Sequence, residues 1–153
     1  MLTVFFDSKG IVHSEFVPEG QTVNAEYYLG VLQRLWARIR RVRPEYREPG
    51  SWFLLHDNAL SHKAIMVREF LTKNGIIVID HPPYSPDLAP CDFWLFPKLK
   101  LAMKGNRFDT IPIIQKTSTA ILKAIPADEY KKCFEKFVER FQRCIDSEGD
   151  YFE

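Results

Sequence analysis

The chain contains few of the residues that build disulfide frameworks or zinc sites. Its 153 residues include three cysteines and four histidines. The cysteines, Cys91, Cys133 and Cys144, are widely spaced and form no CxxC pair. An odd, dispersed set of this kind is typical of reduced intracellular thiols and argues against a disulfide scaffold or a cysteine-based zinc site.

The sequence also lacks a strong net charge and any long apolar run. The formal net charge is +1, so no overall field indicates a nucleic-acid or membrane partner. No apolar segment approaches the about 20 residues that cross a bilayer, and residues 1–7 lack the pattern of a signal peptide. With 46% hydrophobic and 27% charged residues the composition is that of a globular domain. We therefore expect an intracellular, soluble protein with no membrane partner.

Apolar runs and helical periodicity predict an α/β domain. Two short apolar segments around the polar turn 7–10 predict a hairpin. Helical spacing predicts five helices, with Ser61 as a candidate cap of the second. The predicted strands are 2–6, 11–17, 52–55 and 76–79, and the predicted helices are 24–43, 61–73, 91–103, 114–124 and 127–145. The order β-β-α-β-α-β-α-α-α indicates a mixed sheet flanked by helices.

Two aspartates stand out because each lies in an unusual local sequence. Asp57 follows the apolar run 52–55 in the segment His56-Asp57-Asn58, and Asp92 follows the proline-rich loop 81–90 where a helix is predicted to begin. The two are 92 − 57 = 35 positions apart. A carboxylate at a strand end and another at a helix start can converge on one divalent metal, which is the chemistry of phosphodiester cutting and joining.

These segments resemble the catalytic core of mariner transposases. Aspartate rather than glutamate at position 92 favours the mariner branch over the Tc1 branch of the superfamily. The early Phe6-Asp7 segment with Gly10, and the C-terminal segment 141–153, add to a resemblance that covers essentially the whole chain. The motifs that carry it are His56-Asp57-Asn58-Ala59, Pro83-Tyr-Ser-Pro-Asp-Leu-Ala-Pro90, Asp92-Phe-Trp-Leu-Phe96 and the interval between the two aspartates.

The resemblance implies an RNase H-like fold, that of a DDE/D transposase catalytic core. It implies that Asp57 and Asp92 are catalytic residues and ligands of Mg²⁺ or Mn²⁺, and carboxylate oxygens suit these hard cations. In intact relatives the reaction would be metal-dependent DNA strand cleavage and transfer. The implied partners are transposon-end DNA and a second copy of the chain, and the implied location is nuclear or nucleocytoplasmic.

The chain departs from the family pattern in its first strands. Two strands are predicted before the first helix, whereas the resemblance implies three, with the first catalytic aspartate on the central one. Asp7 belongs to the hairpin motif, so the first catalytic position would lie upstream of Met1. We therefore expect a partial catalytic domain over 1–153 that lacks the first central strand, with a strand and helix core over 1–110 and C-terminal helices over 111–153.

The expected loss of that strand has structural and chemical consequences. Either the hairpin closes against the strand that ends at Asp57, or two strand edges stay unpaired, which predicts marginal stability. Two carboxylates without a bridging third also predict weak metal binding and little or no catalysis by this chain alone.

Other polar residues near the motifs have ordinary structural alternatives. We interpret His56 and Asn58 as residues that orient Asp57. A zinc role for His56 and His62 is less favoured than packing or hydrogen bonding, and Asp87 is expected to stabilise a turn. Asp80 is ambiguous, with the structural role favoured. Phe93 and Trp94 are interpreted as core residues, and Cys133 and Cys144 as buried thiols.

Basic residues cluster on two predicted helices. A helix that carries basic residues is usually a solvated face, and the alternative is contact with phosphates. The candidate DNA contacts are Arg38, Arg41, Lys98, Lys104 and Arg107. A second functional hypothesis follows from this surface, namely a non-catalytic nucleic-acid- or protein-binding module derived from a transposase. A third is a gene model without a stable product.

Overall fold

The computed structural model describes residues 1–56, 59–79, 81–82 and 85–147. The segment order in these ranges is the predicted one. The strands are β1 (Leu2–Asp7), β2 (Gly10–Phe16), β3 (Phe53–Leu55) and β4 (Ile77–Ile79). The α-helices are α1 (Ala25–Val42), α2 (Ile65–Lys73), α3 (Phe96–Met103), α4 (Ile111–Ala124) and α5 (Ala127–Asp146). Within these ranges no helix is long and apolar enough to span a membrane.

The strands form two pairs instead of the one mixed sheet that the sequence predicts. β1 and β2 are neighbours in one sheet, and their two-residue connection makes them an antiparallel hairpin. β3 and β4 form a parallel pair in which Leu54 lies opposite Val78. In the described ranges no further strand joins the two pairs. This arrangement matches the second expected alternative, in which strand edges stay without a ladder partner.

The chain divides into two compact units, residues 1–5 with 12–83 and residues 6–11 with 84–153. The core of the first unit is built on α1. Asn24 begins this helix, because its Oδ1 accepts a hydrogen bond from the Tyr27 amide at 2.8 Å. The helix buries Val31 and Leu32, and Leu54 of β3 belongs to the same cluster. Each such side chain contributes about 1.5–3 kcal/mol relative to solvent exposure.

The second helix begins later than the sequence predicts. Ser61 does not cap it, because residues Leu60–Lys63 form a separate 3₁₀ turn and α2 begins after Ala64. The helix ends where Gly75 adopts a φ of +67°, which favours glycine. A Cβ atom at Gly75 would approach the Pro49 Cβ to 2.6 Å, so both the backbone and the packing require glycine here.

The core of the second unit lies among the aromatic residues of α5 and the segment before α3. The Phe6 ring packs against Trp94, Tyr130 and Phe134, with ring centroids 5.6–5.9 Å apart. The Tyr130 hydroxyl donates to the Leu122 carbonyl at 3.1 Å, and burial raises the pKa of Tyr130 to about 12. Trp94 is half-buried in this cluster, so its prediction as a core residue is confirmed.

The two cysteines of α5 differ in burial. Cys133 is 1% exposed, and burial raises the pKa of its thiol to about 11. Cys144 is only half-buried. The prediction of a buried thiol is therefore confirmed for Cys133 and too strong for Cys144, because α5 leaves the core towards its C-terminal end.

Candidate metal centre

Asp92 lies at the start of an irregular helical segment. Residues Cys91–Leu95 form a π turn, in which the Phe96 amide donates to the Cys91 carbonyl five residues earlier, and α3 follows directly. The Asp92 amide donates to the Ala89 carbonyl at 2.8 Å, and its side chain is exposed. The amides at a helix start favour a negative charge. π turns inside helices occur frequently at functional sites.

A tight turn precedes Asp92. Pro86–Leu88 form a 3₁₀ turn in which the Leu88 amide donates to the Ser85 carbonyl at 3.0 Å. The Leu88 side chain is 2% exposed and anchors the turn in the core. Asp87 is part of this turn, as the sequence predicts, and its backbone carbonyl accepts a hydrogen bond from Arg140. The segment that carries Asp92 is therefore fixed by backbone turns and by one buried side chain.

The π turn is also supported by its aromatic residues. Trp94 packs edge-on against Tyr130 of α5 at 5.1 Å between ring centroids. The Phe93 ring lies beneath the Arg140 guanidinium, whose central carbon is 4.4 Å from the ring centroid. Phe93 is half-buried and its core prediction is confirmed. Sequence patterns did not single out Arg140, because nothing local relates it to a residue 140 − 93 = 47 positions earlier.

Asp57 and Asn58 lie outside the described residues, and so does Asp80. Their roles therefore stay predictions. The residue before them, His56, is described, and its Nδ1 is hydrogen-bonded to the Tyr28 hydroxyl at 2.9 Å. Among the described residues no three His, Cys, Asp or Glu side chains converge in a way that could hold a metal ion.

His56 belongs to a stack of three rings. His62 lies 3.8 Å from the Tyr28 ring centroid and 4.9 Å from that of His56. Packing and hydrogen-bonding roles for His56 and His62 are thereby confirmed. Tyr28 is 4% exposed and was not selected from the sequence, although its place on the buried face of α1 gave the only available signal. The stack fixes the chain immediately before Asp57.

The basic residues selected from the sequence have different surroundings. Arg38 and Arg41 are exposed on α1, and Lys104 and Arg107 are exposed after α3. Lys98 is partly occupied within the protein, because its Nζ lies 2.7 Å from a Glu129 carboxylate oxygen and 5.9 Å from the Trp94 ring centroid.

The carboxylate of Asp92 fits a hard divalent cation by donor type. An exposed carboxylate at a helix start offers oxygen ligands without a competing thiolate or imidazole in the π turn beyond the half-buried Cys91. Mg²⁺ is commonly held by one or two carboxylates together with water or phosphate oxygens. A metal at Asp92 is thus chemically reasonable on the described geometry.

Known proteins share both the sequence and the fold of this chain. Residues 1–48 match the family described as transposase (partial DDE domain). The chain is 36% identical to the Mariner Mos1 transposase of Drosophila mauritiana over 154 residues, which are 100% of this chain and 45% of that protein. It is 29% identical to the histone-lysine N-methyltransferase SETMAR of Homo sapiens over 153 residues, 100% of this chain and 22% of that protein. The chain thus spans less than half the length of the curated relatives that it matches.

Solved structures give the same result. A structure of the Mos1 transposase catalytic domain with raltegravir and Mg matches with a TM-score of 0.91 and 37% identity, covering 99% of this chain and 76% of that one. A Mos1 transposase paired-end complex with the left transposon end matches with a TM-score of 0.90 and 38% identity, covering 99% of this chain and 44% of that one. The architecture is therefore the RNase H-like α/β fold of a DDE-type catalytic domain. Within that class the chain belongs to the mariner transposase family.

Proposed function

We propose that this chain is a partial mariner transposase catalytic domain that binds a divalent metal ion through Asp57 and Asp92. The observation that carries the proposal is the 37% identity, over 99% of the chain, to a catalytic domain whose structure includes Mg. The metal in question is Mg²⁺ or Mn²⁺. When bound at such a site, the metal activates an attacking oxygen and stabilises the leaving oxygen of a phosphodiester.

The chain's own residues would prepare the two carboxylates. Asp92 is presented to solvent by the π turn, whose backbone is fixed by the preceding 3₁₀ turn. Asp57 follows His56, which the Tyr28 hydroxyl holds at 2.9 Å. Together with Asn58, His56 would set the direction of the Asp57 carboxylate. Residues that orient metal ligands in this way matter nearly as much as the ligands themselves.

Catalysis by the 153-residue chain alone is expected to be weak or absent. A two-metal site of this chemistry needs a carboxylate that bridges the ions, and two aspartates match the family motifs here. Asp7 is the remaining early aspartate, and its Oδ1 accepts a hydrogen bond from the Lys9 amide at 2.9 Å. This contact belongs to the hairpin turn, as expected for a structural aspartate.

The proposed substrate is DNA, with transposon ends as the target in full-length relatives. The exposed side chains of Arg38, Arg41, Lys104 and Arg107 are the candidates for phosphate contacts. Homodimer formation and nuclear localisation are proposed from family membership. If these side chains neutralise phosphates, replacing Arg38 and Arg41 with Gln reduces the salt dependence of DNA binding by about one unit for each phosphate that is no longer neutralised.

A nicking assay tests the catalytic part of the proposal. The purified chain is incubated with supercoiled plasmid and with terminal-repeat DNA in Mg²⁺ or Mn²⁺, beside Asp57→Ala, Asp92→Asn and the exposed-loop control Asp109→Asn. We expect cleavage close to background, and any residual cleavage should disappear with Asp57→Ala and Asp92→Asn but persist with Asp109→Asn. Robust cleavage that Asp57→Ala abolishes would show that another group supplies the third ligand, and cleavage that survives Asp92→Asn would remove Asp92 from the site.

A second candidate function is a non-catalytic nucleic-acid- or protein-binding module. It is favoured by the match to SETMAR, a protein whose name carries a different activity and of which this chain corresponds to 22%. DNA binding that depends on salt but not on divalent metal, and that is unchanged by Asp92→Asn, would support this role. Binding that requires Mn²⁺ and Asp92 would support the metal-centre proposal instead.

A further inference from the structure

Arg140 of α5 contacts the Asp92-bearing segment at two points. Its Nη1 donates to the Asp87 carbonyl at 3.2 Å, and its guanidinium carbon lies 4.4 Å above the Phe93 ring centroid. Asp87 precedes Asp92 by five residues and Phe93 follows it directly. One side chain therefore holds both sides of Asp92.

The backbone between these two contacts is continuous and hydrogen-bonded. The Ala89 amide donates to the Pro86 carbonyl at 3.1 Å. The Ala89 carbonyl in turn accepts from the amides of Asp92 at 2.8 Å and Phe93 at 3.0 Å. The exposed Asp92 carboxylate takes its direction from this backbone, so a displacement of the turn would displace the carboxylate.

The contact pattern depends on a guanidinium. A planar guanidinium can stack on an aromatic face while an N–H at its edge donates to a carbonyl, whereas an ammonium is a point charge that cannot do both well. Arg140 is half-buried between these partners. Arg143, one turn further along α5, has a side chain that is 55% exposed and pairs with Glu139 at 3.0 Å. The role of Arg140 is thus not a general property of arginines on α5.

We propose that Arg140 is a positioning residue that holds the π turn so that the Asp92 carboxylate is directed for metal binding. This inference rests on the proposed function, in which Asp92 is a metal ligand. Arg140 acts through Phe93 and the Asp87 carbonyl and touches neither metal nor substrate.

The sign of the effect separates positioning from simple electrostatics. Arg140→Met removes a positive charge beside the π turn, and that change alone would tighten the binding of a cation. Loss of positioning has the opposite result. Orienting residues that contact a ligand directly cost about 10- to 100-fold in metal affinity when mutated. Because Arg140 acts one step further away, we expect a loss of about three- to tenfold by the same reasoning.

The experiment titrates Mn²⁺ into the ¹⁵N-labelled full chain and follows paramagnetic broadening of the amides at 89–95. Arg140→Met should weaken Mn²⁺ binding, Arg140→Lys should restore part of it, and the control Arg143→Met should leave it unchanged or slightly tighter. Phe93→Leu removes the ring from the other side of the contact and should reproduce the Arg140→Met result. That variant keeps the test decisive if Arg140→Met does not fold. Binding by Arg140→Met as tight as in Arg143→Met would overturn the proposal.

Two further measurements distinguish failure of this inference from failure of the proposed function. Asp92→Asn should abolish the broadening, and retention of the broadening would refute Asp92 as a ligand. Amide hydrogen exchange then tests Arg140 independently of metal. Exchange at Ala89, Asp92 and Phe93 should accelerate in Arg140→Met while the amides of α4 are unaffected. Unchanged exchange at these three amides would overturn the positioning role, whatever the metal titration shows.

Discussion

Replacing Glu15 with Gln is expected to weaken the attachment of β2 to α1. The Glu15 carboxylate accepts two hydrogen bonds from Arg34, from Nε at 3.0 Å and from Nη2 at 2.6 Å. A third close contact joins Glu15 to His13 Nε2 at 2.6 Å. The Glu15 side chain is 16% exposed, so its charge is only partly screened, whereas the Arg34 side chain is 51% exposed. Charge-assisted hydrogen bonds contribute about 1.5–3 kcal/mol, and screening at Arg34 reduces the expected loss to about 1–2 kcal/mol.

The loss should depend on pH in a defined direction. Burial raises the pKa of Glu15, but the hydrogen bonds from Arg34 and His13 outweigh burial and hold the pKa below its ordinary value of 4.5. A carboxyl whose pKa is lower in the folded state stabilises the protein above the unfolded pKa, and this contribution disappears as the pH falls through the folded pKa. The difference in free energy of unfolding between the wild type and Glu15→Gln is therefore largest near neutral pH and shrinks below about pH 4.5.

Urea unfolding at a series of pH values measures this difference. Fluorescence of Trp36 and Trp52, which stack at 6.3 Å in the first unit, reports the unfolding of that unit. Glu19→Gln removes an exposed carboxylate from the loop after β2 and is the matched control. A difference for Glu15→Gln that is the same at pH 7 and pH 4, or no larger than that for Glu19→Gln, would refute the reasoning.

Three further predictions follow from buried or strained positions. Gly75→Ala should destabilise the fold by more than about 1 kcal/mol because it combines a positive φ with a 2.6 Å contact, whereas Gly20→Ala, with a positive φ and open space, should cost less in a thermal melt. Cys133, whose burial raises the pKa of its thiol to about 11, should react with iodoacetamide at pH 8 far more slowly than half-buried Cys144, as measured by peptide mass spectrometry. Tyr28→Phe removes a buried hydroxyl that is hydrogen-bonded to the ring stack and should cost about 1–2 kcal/mol in urea unfolding, and an unchanged midpoint would contradict that role.

The sequence predicted the elements whose signals are local. The start of α1 was predicted correctly, because Asn24 is a good cap and the apolar residues that follow recur at helical spacing. The start of α4 was placed three residues late, because Thr110 caps the helix ahead of a proline that the apolar pattern did not include. The start of α2 was also misplaced, since Ser61 has the chemistry of a cap but lies inside a 3₁₀ turn.

Features that depend on distant residues could not be predicted in this way. The π turn at Cys91–Leu95 differs from an α-helix by one residue per turn, and no local pattern distinguishes the two. Tyr28 and His56 are 56 − 28 = 28 positions apart and meet only because α1 packs on the strand that precedes His56. The division of the strands into two pairs is likewise a property of the whole fold, since each strand was predicted correctly by itself.

The stability of the chain provides a separate check on the strand arrangement. Strand edges without a ladder partner in the described residues predict marginal stability and self-association. Calorimetry of the purified chain should show a broad, low-temperature transition that changes with protein concentration. A sharp, concentration-independent transition at high temperature would contradict this expectation.

Mn²⁺-induced broadening of the amides at 91–95 in Asp57→Asn and Asp92→Asn tests the central claim most directly. If both aspartates bind one ion, each substitution should remove the broadening that the wild type shows, while Asp109→Asn should retain it. Broadening near residues 91–95 that survives Asp57→Asn would contradict a shared metal centre in this chain.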